Sequence, residues 1–132
     1  MKKKHLFLLI PQIAVFLLGA LPFGVVMRFA PDPVETIIHF TNYYDLLPFG
    51  NAHFGPFLTI CFAGIVLLLS IIWYITQHQG VLTFIRAFSV FELAASMLPL
   101  ALGLSYITWV GVTITLIIVI QVVLFKFDLI LK

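Results

Sequence analysis

Glu92 stands in the run "SVFELAAS", where nothing else is charged, and an acid there can do chemistry by holding or giving up a proton. Ionised at the centre of an apolar helix it costs about 3 kcal/mol on insertion. It must therefore be neutral, paired, or turned into protein. At about 100° per residue, Ser89, Glu92, Ser96, Pro99 and Gly103 share one helical face, a stripe of small and polar groups that lets helices approach closely. Gln12 follows Leu6 by six residues, and Gln121 precedes Lys126 by five. Glu92 lies about 9 Å beyond Arg86 at the usual helical rise. Those depths put Gln12, Glu92 and Gln121 in one layer near the inner leaflet, with Ser96 beside it. The layer reads first as polar glue between helices, worth about 1 kcal/mol per contact. Its functional reading is a protonatable site, since burial disfavours the charged form of a carboxyl group.

A second set of chemically capable groups lies in the segment 28–55. Glu35, His39, Asp45 and His53 offer oxygen and nitrogen ligands, and Glu35 and His39 share a helical face if that segment is a helix. No spacing among them matches a zinc pattern, and Asp32 and Glu35 already serve as helix-start residues. Ordinary loop polarity is the preferred reading. No metal, cofactor or catalytic residue is expected, and phosphate loops, nucleotide fingerprints and nucleophile elbows are absent from the sequence. Cys61, alone in an apolar run, excludes an intramolecular disulfide and reads as a small packing residue.

The elements that must hold these groups are set by composition. Of the 132 residues 63% are hydrophobic and 9% charged, against about 25% charged in a soluble domain. A chain so short of charge cannot make a polar coat. Four apolar runs, about 6–27, 56–76, 83–104 and 106–127, are each long enough to cross a bilayer. The last two are joined tightly around Gly103 and Ser105 and must form an antiparallel hairpin. "MKKKH" followed by an apolar run also suits a signal peptide, but the run is long, contains Gln12 and lacks a small-residue cleavage site, so a retained span is expected. With the N-terminus inside, Lys2, Lys3, Lys4, Arg86, Lys126 and Lys132 are cytoplasmic and Arg28 alone is external, as the positive-inside rule requires. Trp73 and Tyr74, and Tyr106 with Trp109, suit the two interfacial belts. The net charge of +2 gives no case for nucleic acid.

Within the external loop, Asp32, Pro33 and Glu35 read as an N-cap, first-turn proline and capping box, predicting a short interfacial helix from Pro33 to about Asn42. Val34, Ile37, Ile38 and Thr41 would form its apolar side. Next comes "YYDLLPFGNAHFGPF", with glycine turns after Phe49 and Phe54. It reads as a compact cap anchored by aromatic rings. A sharper reading makes Tyr43, Tyr44, Asp45, Phe49, His53 and Phe54 a recognition surface for lipid or a partner. This segment, with the four-span layout, resembles a loop in short uncharacterised bacterial membrane proteins that carry Tyr-Asp-x-x-Pro-Phe-Gly-x-Ala-x-Phe-Gly-Pro between their first two spans. The resemblance implies a multi-pass protein of a bacterial plasma membrane and brings no activity with it.

The expectation is therefore one all-α transmembrane domain over 1–132, a four-helix bundle with both termini inside. Its expected role is that of a non-enzymatic accessory subunit in membrane lipid, binding a membrane protein partner or its own copies. The alternative is a small oligomeric transporter or ion-coupled component working through Glu92. An interfacial enzyme using His39, Asp45 and His53 ranks last.

Overall fold

The computed structural model describes residues 2–32, 34–44, 55–103 and 107–126. The chain is mostly helical: α1 (Lys2–Gly19), a hairpin of β1 (Val25–Asp32) and β2 (Glu35–Thr41), α2 (Gly55–Thr76), α3 (Gln79–Ser96), α4 (Leu98–Leu102) and α5 (Trp109–Lys126). Among the described residues, Gly55–Thr76 and Gln79–Ala101 are long and apolar enough to cross a membrane, while Leu9–Gly19 and Trp109–Phe125 are shorter apolar helices. The four long helices form a ring in which α2 and α3 pair most extensively, and α1 and α5 pack on each other and close the circle.

Each boundary has a local cause. α2 and α3 are joined by Gln77, left-handed at φ 53, and His78. The His78 Nδ1 accepts from the Gly80 N–H at 3.1 Å, so the imidazole caps α3. Pro99 cannot donate to the carbonyl one turn back, and helix α3 ends at Ser96 before the short α4 begins beyond Met97. Thr108 starts α5: its Oγ1 accepts from the Gly111 N–H at 3.0 Å and donates to the Gly24 carbonyl at 2.7 Å. One hydroxyl thus caps a helix and ties it to the root of the hairpin.

Two expectations are corrected here. The first apolar run does not stay helical to Met27; α1 ends at Gly19, turns follow through Pro22, and Val25 opens a strand. The interfacial helix over Pro33–Asn42 is instead β2, antiparallel to β1 in the register Val25↔Thr41, Met27↔His39 and Asp32↔Glu35. The capping signal is local and small. A helix of about ten residues is also too short to be stable alone. The β-branched and aromatic residues of 25–41 instead find cross-strand partners. Pairing at the root is held by burial, with Val25, Val26 and Thr41 all inside.

Two apolar clusters fill the ring. One joins Val15, Ile60, Ala63, Val110, Ile114 and Ile118 to Val25 and Tyr43 at the hairpin end. The other holds Val66, Trp73, Leu82, Ile85 and Phe125. Trp73 is therefore a core residue and not part of an interfacial belt, whereas Trp109 is exposed and its ring lies 5.3 Å from that of Phe23. Cys61 is exposed on the outside of α2, so it fills no core gap.

Gly55 marks a tight helix contact. A Cβ there would lie 2.8 Å from Leu98 Cβ and 3.0 Å from the Ala95 carbonyl oxygen, atoms that cannot swing away. Gly55→Ala should lower stability by about 1–3 kcal/mol, the usual cost of overpacking. Equilibrium unfolding of both proteins in detergent micelles would measure it.

Candidate functional site

Gln12, Glu92 and Gln121 meet at the centre of the ring. The Gln12 Nε2 donates to Glu92 Oε2 at 3.1 Å and to Gln121 Oε1 at 2.8 Å. The Gln121 Nε2 in turn donates to Ser89 Oγ at 3.1 Å. Gln12 and Glu92 have 0% exposure, and Gln121 and Ser89 1% each. The chain of bonds joins α1 to α3 across the ring and α1 to α5 to α3 along its rim. Helical spacing makes this possible: Ser89 and Glu92 lie one turn apart on the inward face of α3, while α1 and α5 each supply an amide.

Ser96 shares the buried face at 6% exposure but does not join the network. Its Oγ donates to the Leu93 carbonyl at 2.8 Å, and its own carbonyl accepts from Thr115 Oγ1 at 3.5 Å. Ser89, one turn on the other side of Glu92, is the fourth member. The same face arithmetic that selects Ser96 also selects Ser89; Gln121 decides between them by its depth on α5. Helix α3 starts at Gln79, and Glu92 lies near the middle of the continuous apolar stretch 79–101.

The hydrogen-bond inventory of the layer is unequal. Gln12 spends both N–H hydrogens, yet its Oε1 is buried with no partner among the described residues, and the same holds for Glu92 Oε1. Two orphaned acceptors on two groups already in contact need one hydrogen between them. A carboxylic acid has that hydrogen; a carboxylate does not.

Two cavities flank the network. One, of about 320 Å³, is lined by Arg86, Ser89, Val90, Val122 and Phe125 between α3 and α5. The other, of about 200 Å³, lies toward the hairpin and reaches Tyr43, Pro56, Ser96, Thr108 and Thr115. Tyr43 plugs the hairpin end of the ring. Its N–H donates to the Gly19 carbonyl at 2.9 Å, and burial pushes its phenol up to about 12, so it stays neutral. Tyr44 lies outside: its hydroxyl donates to the Phe16 carbonyl at 2.7 Å and its ring stacks on Phe16 at 6.3 Å. Both loop tyrosines are thus committed to contacts within the chain. Asp45, Phe49, His53 and Phe54, and the side chains of Glu35 and His39, lie outside the described residues. The described residues contain no group of three or more His, Cys, Asp or Glu able to hold a metal.

No protein-family model matches the chain, and neither a curated protein nor a solved structure is similar to it.

Gln12→Leu removes the donor to both Glu92 Oε2 and Gln121 Oε1. It should cost about 1–3 kcal/mol, the usual penalty for orphaned buried acceptors. Glu92→Gln keeps an acceptor for Gln12 and adds a donor, so it should unfold no more easily than the wild type. Parallel unfolding curves would check both directions.

Proposed function

We propose that the chain is a small multi-pass membrane protein that works without catalysis, as an ion-coupled component whose working group is the proton on Glu92. The distribution of side chains supports the membrane setting. Gln12, Thr59, Ser70, Ser89, Glu92 and Gln121 are buried, while Leu17, Leu68, Ile75, Phe84, Leu116 and Ile120 lie outside, the reverse of a water-soluble bundle. Four crossings with both termini inside accord with the ring of four helices and the lysine distribution.

One observation carries the functional reading: the network holds an acid where an amide would bond equally well. Glutamine at 92 would accept from Gln12 and offer a hydrogen toward the orphaned Gln12 oxygen, with no ionisable group to bury. What an acid adds is a proton that comes and goes. Ionisable groups at such depth serve proton or ion pathways in membrane proteins.

A second reading, a partner-binding subunit of a membrane protein assembly or of its own copies, is favoured by the hairpin. Val34 is 92% exposed, and Ile38 and Phe40 are about half exposed. Among the described residues, neither edge of the two-stranded sheet pairs with a further strand.

In proteoliposomes with an imposed pH gradient, the wild type should dissipate the gradient faster than empty vesicles, and Glu92→Gln should not. Equal rates for wild type and variant reject the proton reading. Retention of a specific partner from native membranes, lost in Ile38→Lys with Phe40→Lys, would favour the second.

A further inference from the structure

We propose that Glu92 exchanges its proton with one side only, through the cavity lined by Arg86, Ser89 and Phe125, with the Ser89 hydroxyl as the relay. This rests on the reading of Glu92 as a proton-bearing group.

The two cavities meet the network differently. Ser89 lines the larger one and at the same time accepts from Gln121, so the hydrogen-bonded chain ends in the cavity wall. Ser89 lies three residues before Glu92 on the same face, about 5–6 Å away between Cβ atoms. Arg86, one turn further out, lines the same cavity, so a charged residue follows Ser89 along its wall. The cavity toward the hairpin touches Ser96 but no member of the network. Ile114 and Ile118 on α5, Val15 on α1 and Ala63 on α2 are all fully buried beside it. Ser96, the polar side chain of that wall one turn from Glu92, spends its hydroxyl hydrogen on the Leu93 carbonyl at 2.8 Å and is not bonded to the network.

Other titratable groups do not compete. From 9 to 19, α1 has none; those of α2 are Cys61 and Tyr74, both exposed; and α5 has none before Lys126. Arg86 is the charged group on α3 itself. The transfer balances simply: a hydronium in the cavity and the Glu92 carboxylate become water and the carboxylic acid. The Ser89 hydroxyl gains one proton, passes on another and ends unchanged.

Infrared spectroscopy of oriented proteoliposomes tests this, using the carboxylic acid C=O band that is present in wild type and missing from Glu92→Gln. The pH of one face is stepped down at a time while strong buffer holds the other, and the rise of that band is timed. The rise should follow a step on the Arg86 face. Val122→Phe, which fills the cavity, and Ser89→Ala, which removes the relay, should each slow it about a hundredfold, the lower range for a proton-transfer group. Leu100→Phe, in the opposite cavity, should leave the rate as it is. An equal rise after a step on either face in the wild type, which needs no variant to fold, overturns the one-sided route. So does an unchanged rate in both Val122→Phe and Ser89→Ala. Absence of any carboxylic acid band at every pH instead overturns the reading of Glu92 as proton-bearing.

Discussion

The Gln12 side-chain amide is the group on which the bundle depends. One nitrogen gives two hydrogen bonds, one to Glu92 across the ring and one to Gln121 beside it. In an apolar interior, helices can slide or rotate past one another at modest cost, because one aliphatic contact replaces another. A buried amide with two directional bonds allows no such exchange. It sets the depth of α1 against α3 and α5 together. Two apolar clusters then pack above and below that level, and each has its register decided by the polar layer between them.

The hairpin end follows a different logic. There the backbone does the holding, through Tyr43 to Gly19 and Thr108 to Gly24. The glycines let bulky groups come close: a Cβ on Gly24 would stand 3.0 Å from the Tyr43 ring, and one on Gly55 would strike Leu98. The break after Ser96 lets α4 lean over this end, and Pro99 is its cause. Together these features close the ring with a tyrosine where other elements run out.

Much of the central layer could be read from the amino-acid order because it depends on depth alone. Counting from the charged ends places Gln12, Glu92 and Gln121 at comparable levels whatever the helices' rotations. Choosing Ser89 over Ser96 needs knowledge of which neighbour reaches in from α5, and one chain's periodicity cannot supply that. The hairpin was less legible. Asp32, Pro33 and Glu35 carry a helix-start pattern, while the strand signal is spread over residues 25 to 41 and emerges only when both halves are paired. Cys61 and Trp73 failed for one reason: in a uniformly apolar helix, composition does not say which side faces in.

The order of the helices along the chain has a consequence for how the molecule is made. Gln12 is synthesised early, Ser89 and Glu92 together much later, and Gln121 last. Until α5 arrives, Gln12 can bond Glu92 but has a hydrogen to spare, and Ser89 lacks its donor. The α2–α3 pair, joined by only Gln77 and His78, can form by itself before then. The last helix therefore completes a set of bonds that nothing earlier in the chain can satisfy. An unfinished bundle differs from a finished one by unpaired polar groups at its centre.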